Sequence, residues 1–216
     1  MIKAGIDVGA KTIKVVLMED RKIRGKGKVL SGFNQEESAK EALEQALKEA
    51  GLSREAIGSI VTTGNGRKAI SYASGDVTEP RAAALGAVFL YPSVRTVIDI
   101  GAEESRAIKC DSSGKVLDFA VNEQCAVFAE SEVISLIHSK TQKADIARAV
   151  HDGLSSRVVA MVRRVGLDPE LVLIGGVAHN PGFVESFKRT VGIDDVRTAE
   201  EPEFVSAIGA ALAVGK

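Results

Sequence analysis

The feature that most constrains the fold is a five-residue motif that occurs twice. The chain reads IDVGA at residues 6–10 and IDIGA at residues 98–102, and a second apolar, β-branched run follows each copy. A strand that ends in Asp-x-Gly and returns as another strand predicts a hairpin with a tight glycine turn. Because the copies lie in different halves of the chain, they indicate duplicated lobes rather than a short repeat.

The pattern around each copy supports this duplication. After the first hairpin, ESAKEALEQALKEAG places alanines and leucines on one helical stripe that Gly51 closes, and AIGSIVTTGNG returns as a strand. The second hairpin is followed by a helix in VFAESEVISLIH, a long amphipathic stretch over 145–165 and a short strand ELVLIGG. We therefore predict an α/β protein with lobes at residues 1–92 and 93–216 and mixed sheets around a cleft, where ligands usually bind.

Composition narrows the class of partner. The chain has 216 residues and a net charge of −1, so nothing indicates nucleic-acid binding or a polybasic membrane contact. No apolar run reaches the roughly 20 residues of a membrane span, and the N-terminus does not resemble a leader, so we expect a cytoplasmic protein. The two cysteines form no Cys-x-x-Cys, and the three histidines lack the paired spacing of a zinc site.

The repeated turn predicts a particular chemistry. Gly9 and Gly101 allow a phosphate to approach the main-chain N–H groups closely. Asp7 and Asp99 precede the two turns and can hold the water shell of Mg²⁺, which prefers few protein carboxylates. Two such hairpins facing each other would bind a polyphosphate from both sides, and a third turn in LIGGVAHN (173–180) would let adenine and ribose lie against the backbone.

Other phosphate motifs fit less well. No Gly-x-Gly-x-x-Gly follows the first strand. The stretch GIDVGAKT approaches a P-loop, but a P-loop opens a helix, whereas TIKVVLM is β-branched and apolar. The alternative is that each Asp-x-Gly is only a hairpin turn with no ligand-binding role. Two copies in matching contexts argue against this alternative.

Longer stretches resemble a known family. GIDVGAKTIKVVLM, TTGNGR, VIDIGAEESRAIK, GKVLDFAVNEQCA, VFAESEVISLI and LIGGVAHN together look like the BadF/BadG/BcrA/BcrD ATPases, nearly end to end. The resemblance implies the actin-like, sugar-kinase and heat-shock-protein ATPase fold, with its ribonuclease H-like lobes. It also implies ATP or ADP with Mg²⁺, a homodimer with a [4Fe–4S] cluster at its interface, and ATP-driven electron transfer to a 2-hydroxyacyl-CoA dehydratase or benzoyl-CoA reductase partner.

The resemblance also implies roles for individual residues. Asp7 and Asp99 would be catalytic and would hold Mg²⁺. The third catalytic candidate, Glu103, lies where this chain departs from the family, whose Gly-Gly-Gln-Asp becomes Gly-Ala-Glu-Glu at 101–104; its carboxylate could polarise the attacking water or hold Mg²⁺. Cys125 would ligate the iron–sulfur cluster. The nucleotide would be bound by the two phosphate loops and the adenosine turn, which comprise Gly9, Ala10, Lys11, Thr12, Gly101, Ala102, Gly175, Gly176 and Asn180.

The departures from the family leave alternatives open. Family members have two cluster cysteines per subunit, and the segment between them is missing here, so Cys125 stands for both. A symmetric dimer would then supply fewer thiolates than a [4Fe–4S] cluster normally takes, unless the fold recruits Cys110. A cluster-free, nucleotide-gated ATPase or scaffold is one alternative. A small-molecule kinase, with Asp99 as general base, is another.

Overall fold

The computed structural model describes residues 1–122 and 127–213. Its N-terminal half forms a five-stranded sheet with the strand order β3-β2-β1-β4-β5, in which β1 to β3 are antiparallel and β4 and β5 run parallel to β1. The elements are β1 (Ile2–Val8), β2 (Thr12–Glu19), β3 (Lys22–Leu30), α1 (Gln35–Ala50), β4 (Ile57–Thr63) and β5 (Gly75–Asp76).

The C-terminal half repeats this topology strand for strand. Its sheet has the order β10-β9-β6-β7-β8, again with an antiparallel meander and two strands parallel to the first. The elements are β6 (Thr96–Ile100), β7 (Ser105–Cys110), β8 (Val116–Asn122), α3 (Val127–His138), α4 (Lys143–Val165), β9 (Leu171–Ile174), α5 (Pro181–Val191) and β10 (Val196–Thr198). The two IDxGA motifs therefore occupy equivalent positions, at the ends of β1 and β6.

Each sheet buries one face against its own helices. The stripe predicted on α1 is buried against β3, where Gly25 and Gly27 leave room for close approach. A Cβ added at Gly27 would lie 1.9 Å from the carbonyl oxygen of Ala42. On the second sheet, α4 and α5 contribute a core in which Phe183 and Phe187 are fully buried and stacked.

The remaining helices are exchanged between the halves. The helix α2 (Glu79–Leu90) packs on the second sheet, and α6 (Val205–Leu212) packs on the first. They cross closely because Gly86 lies against the backbone of Val205 and Gly209 lies against that of Ala82. The proposed division at residue 92 stays a prediction, but this crossing ties the two sheets together and sets how the two hairpins face each other.

Candidate functional site

The two Asp-x-Gly hairpins border one cavity of about 390 Å³ between the halves. Of the residues predicted from sequence, the cavity is lined by Asp7, Gly9, Ala10, Lys11, Thr12, Asp99, Gly101, Ala102, Glu103, Gly175 and Gly176. The duplicated turns thus converge on one space, and the third glycine turn closes it. A cavity between lobes with converging polar groups is the usual form of a small-molecule site.

Asn180 lies outside this lining. Its side-chain oxygen accepts hydrogen bonds from the N–H groups of Gly182 (3.0 Å) and Phe183 (3.2 Å), so it caps the N-terminus of α5. The Asn-Pro sequence at 180–181 is an ordinary helix-start signal, and it could have indicated this placement.

The carboxylate of each aspartate lies close to a glycine that follows the neighbouring parallel strand. Gly64 follows β4 with φ +90°, and Gly175 follows β9 with φ +83°. A Cβ added at Gly64 would lie 2.7 Å from Asp7 Oδ1, and one at Gly175 would lie 2.7 Å from Asp99 Oδ1. Sequence reasoning did not name Gly64, although TTG at the end of β4 corresponds to LIG at the end of β9.

Each aspartate also has a cation opposite it in the hairpin register. Lys14 pairs with Asp7 across β1 and β2, and Arg106 pairs with Asp99 across β6 and β7. Lys14 Nζ lies 2.7 Å from Asp7 Oδ2, and Arg106 Nη1 lies 3.6 Å from Asp99 Oδ2. Both cations are largely buried and line the cavity. Sequence reasoning named neither, although the hairpin register implied both.

Burial makes the Asp99 carboxylate costly to ionise. Desolvation and the nearby charge of Asp7 raise the pKa of Asp99 to about 7. A divalent cation between the two aspartates would reverse this effect because it stabilises both ionised forms. The donor set therefore fits Mg²⁺, which takes one or two carboxylates and completes its shell with water and phosphate oxygens.

Arg106 joins the two halves through a cluster of acidic side chains. Its Nη2 contacts Glu79 at the start of α2 and Glu104 in the turn of the second Asp-x-Gly hairpin. Glu79 also lies 3.4 Å from Arg67 Nη1, and Asn65 Nδ2 donates to Glu104 at 2.8 Å. Arg67 thus pairs with two acidic side chains, Glu79 and Asp76.

Glu103 differs from its neighbour Glu104. It lines the cavity and is exposed, and no ion pair or side-chain hydrogen bond to Glu103 occurs within the described parts of the chain. Its carboxylate is therefore available to a water molecule in the cavity.

A second set of ion pairs lies at the other end of the cavity. Glu203 is contacted by Lys28 Nζ at 2.7 Å and by His179 Nε2 at 2.6 Å. Burial alone would raise the pKa of Glu203, but hydrogen bonds from Lys28, its own backbone N–H and His179 outweigh it and lower the pKa to about 2. Since Lys28 belongs to β3 and Glu203 to the turn before α6, this pair spans elements far apart in the chain.

The structure does not test the iron–sulfur prediction. Cys125 lies outside the described residues. Cys110 is buried in the core under α2, and burial raises the pKa of its thiol to about 11, so it does not fit the role of a cluster ligand. Among residues 1–122 and 127–213, no group of three or more His, Cys, Asp or Glu side chains could hold a metal ion, and no helix there is long and apolar enough to cross a membrane.

Comparison with known proteins shows that nearly the whole chain is similar to one family of ATPases. The model of the BadF/BadG/BcrA/BcrD ATPase family matches residues 4–126 and 119–214. The activator of lactoyl-CoA dehydratase from Anaerotignum propionicum is 32% identical, over 98% of this chain and 96% of that protein. This alignment has 251 positions, whereas 98% of 216 residues is about 212, so about 39 positions have no residue of this chain opposite them.

Solved structures give the same result for the fold. The activator of 2-hydroxyisocaproyl-CoA dehydratase from Clostridium difficile, solved with bound ADPNP, superposes with a TM-score of 0.90 at 29% identity, covering 98% of this chain and 93% of that one. A ROK hexokinase from Thermus thermophilus has a TM-score of 0.54 at 20% identity, with 98% of each chain covered, and shares the fold alone. The predicted actin-like fold is confirmed.

Proposed function

Because this chain belongs to the BadF/BadG/BcrA/BcrD ATPase family, we propose that it is an ATP-hydrolysing activator. In this proposal, ATP hydrolysis drives low-potential electron transfer from an interfacial iron–sulfur cluster to a CoA-ester dehydratase or reductase. The observation that carries the ATPase part is the convergence of both Asp-x-Gly hairpins on one cavity, with Asp7 and Asp99 each backed by a glycine.

The proposed roles follow the geometry of the cavity. The N–H groups of residues 9–12 and 101–103 hold the phosphates, and Gly175 and Gly176 lie against adenosine. Asp7 and Asp99 hold the waters of Mg²⁺, which when bound neutralises charge on the phosphates. Glu103, whose carboxylate is available, orients the attacking water. Lobe movement around the α2–α6 crossing would couple hydrolysis to the partner.

The electron-transfer part depends on Cys125 and on a homodimer. A two-fold dimer would bring two copies of Cys125 to one axis, where their thiolates could ligate a cluster. The CoA-ester partner is inferred from family membership, and the relatives named above are activators of such dehydratases.

One observation favours a second candidate, a cluster-free nucleotide-gated ATPase or scaffold. The two stretches matched by the family model meet at residues 119–126, where the segment between the family's cluster cysteines is missing. Its loss leaves Cys125 and the buried Cys110 as the chain's two cysteines. The kinase alternative has only the shared fold in its favour.

Anaerobic purification tests the proposal directly. Iron, sulfide, dimer mass and absorbance near 400 nm would be measured together with phosphate release from Mg·ATP. The activator should be dimeric, coloured and ATP-hydrolysing. Cys125→Ser should lose the colour, and the matched control Cys110→Ala should keep it. A colourless, iron-free wild type that still hydrolyses ATP would establish the second candidate, and absence of hydrolysis would refute the ATPase assignment itself.

A further inference from the structure

The cations opposite the two aspartates are held in different ways. Lys14 lies against one carboxylate, that of Asp7, and also donates to the carbonyl oxygen of Thr12 at 3.2 Å, so it belongs to its own hairpin. Arg106 is instead shared by Asp99, Glu104 and Glu79. The two equivalent hairpin positions therefore differ: Lys14 forms an ion pair within its own hairpin, whereas Arg106 connects the turn of the second hairpin to α2.

The charge around Arg106 depends on what occupies the cavity. Three carboxylates surround this guanidinium, and a polyphosphate entering beside them would add further negative charge. A divalent cation bound at Asp7 and Asp99 would neutralise the negative charge of Asp99 and so weaken the electrostatic attraction between this carboxylate and Arg106. The planar guanidinium could then bind two phosphate oxygens at once.

Arg106 also has space to reorient. It lies in the wall between the cavity already described and a second one of about 830 Å³, which is bordered by α2 and by Phe119 and Val121 of β8. Both cavities are lined by Arg106, Glu79, Glu104 and Asn65. A rotation of the guanidinium toward the phosphates would therefore meet open space rather than packed core.

We propose that Arg106 recognises the terminal phosphate of ATP and, in turning toward it, gives up its contact with Glu79 at the start of α2. This inference rests on the proposed ATPase function and adds a residue that distinguishes ATP from ADP. Of its ion pairs within the described residues, Glu79 then keeps only its contact with Arg67 Nη1 at 3.4 Å. Because α2 packs on α6 through Gly86 and Gly209, this loss of one ion pair transmits the presence of the terminal phosphate to the crossing between the lobes.

Nucleotide affinity of Arg106 variants tests this assignment. The dissociation constants of Mg·ADP and Mg·ADPNP would be measured for wild type, Arg106→Gln and Arg106→Lys by calorimetry. Loss of a charge-assisted bidentate contact should weaken ADPNP by about tenfold or more and ADP by less than about threefold. Arg106→Lys should recover part of the difference. Arg197→Gln serves as the matched control, because it removes an arginine of β10 that pairs with Glu170 away from the cavity.

The link to α2 has its own readout. Hydrogen exchange of the amides of residues 81–83, which follow Pro80 in the first turn of α2, should change with ADPNP but not with ADP in wild type. Glu79→Gln should keep the preference for ADPNP yet lose this difference in exchange, which also provides a test if Arg106→Gln does not fold. Equal weakening of both nucleotides in Arg106→Gln, or a wild-type exchange pattern identical for ADP and ADPNP, would overturn the assignment alone. A wild type that binds neither nucleotide would overturn the proposed function as well.

Discussion

Replacing Asp99 with Asn should stabilise the protein at alkaline pH and remove its response to magnesium nucleotide. Asp99 is 8% exposed at the end of β6, and burial with the charge of Asp7 raises its pKa from 3.8 to about 7. The native protein thus holds this proton up to about pH 7, whereas the unfolded chain releases it near pH 4. Between these values the unfolded state binds fewer protons, so stability falls as pH rises.

The size of the effect follows from the same shift. A pKa difference of about three units corresponds to at most about 4 kcal/mol at pH 8.5, since one unit is worth about 1.4 kcal/mol. Asn keeps the volume but loses the attraction to Arg106, whose Nη1 lies 3.6 Å from Asp99. We therefore expect Asn to stabilise the protein by about 1–2 kcal/mol at pH 8.5, or about 4 °C in Tm. At pH 5 it should instead destabilise by about 1 kcal/mol, because the two pH units between pH 5 and the folded-state pKa of about 7 change the difference by about 3 kcal/mol.

Urea and thermal unfolding without magnesium from pH 5 to 8.5 would measure this gain. Asp118→Asn, an exposed substitution on β8, is the matched control and should show no trend with pH. Mg·ADPNP should raise the Tm of wild type at pH 8 and leave that of Asp99→Asn nearly unchanged. A stability difference between Asp99→Asn and wild type that is the same at pH 5 and pH 8.5 would show that Asp99 ionises normally and would refute the argument.

Three further substitutions test the packing of the site. Gly64→Ala should cost about 1–3 kcal/mol of stability and weaken nucleotide binding, because φ is positive and the Cβ would lie 2.7 Å from Asp7 Oδ1. The control Gly153→Ala on α4, where a Cβ meets nothing within 4 Å, should instead stabilise the protein by about 0.5–1 kcal/mol. Urea titrations that give the same change in stability for both variants would contradict this prediction. Gly209→Ala should abolish folding or lower Tm by more than 10 °C, roughly 3 kcal/mol or more, because its Cβ would lie 1.7 Å from a carbonyl oxygen of α2. A Tm within a few degrees of wild type would show that the two helices can move apart at the crossing. Glu203→Gln should cost about 1–2 kcal/mol of stability at pH 7 and almost nothing near pH 2. The lowered pKa of Glu203 stabilises the folded protein above the unfolded-state pKa of 4.5, and this stabilisation is lost as the pH falls through about 2. A cost that does not shrink on acidification would exclude an ionic origin.

Local sequence patterns predicted much of the scaffold. The alanine and leucine stripe of α1, with Gly51 in the left-handed conformation after it, lies where periodicity placed it. The Asp-x-Gly hairpins form as predicted because a strand end, a glycine and a returning β-branched strand are close neighbours in the chain. Asn180 was assigned to the adenosine turn, but its capping role is equally local, and the Asn-Pro pair signalled it.

Other features depend on residues that no local pattern connects. The pair of Lys28 with Glu203 spans 175 positions, and Arg106 contacts Glu79 across 27 positions and a helix boundary. The exchange of α2 and α6 between the sheets was not predicted, because the apolar periodicity of a helix does not specify which sheet it packs against. It depends on close contacts at Gly86 and Gly209 that exist only in the assembled protein.

The sequence by itself therefore determined the two Asp-x-Gly hairpins, the repeated strand topology and the family, because each follows from short-range patterns or from their repetition. Only the tertiary structure decided that the hairpins face one cavity, that Asp99 is buried enough to resist ionisation and that Arg106 links this cavity to α2. The physical reason is that burial and electrostatic interaction depend on distance in space, and the lobes bring these groups together from opposite ends of the chain.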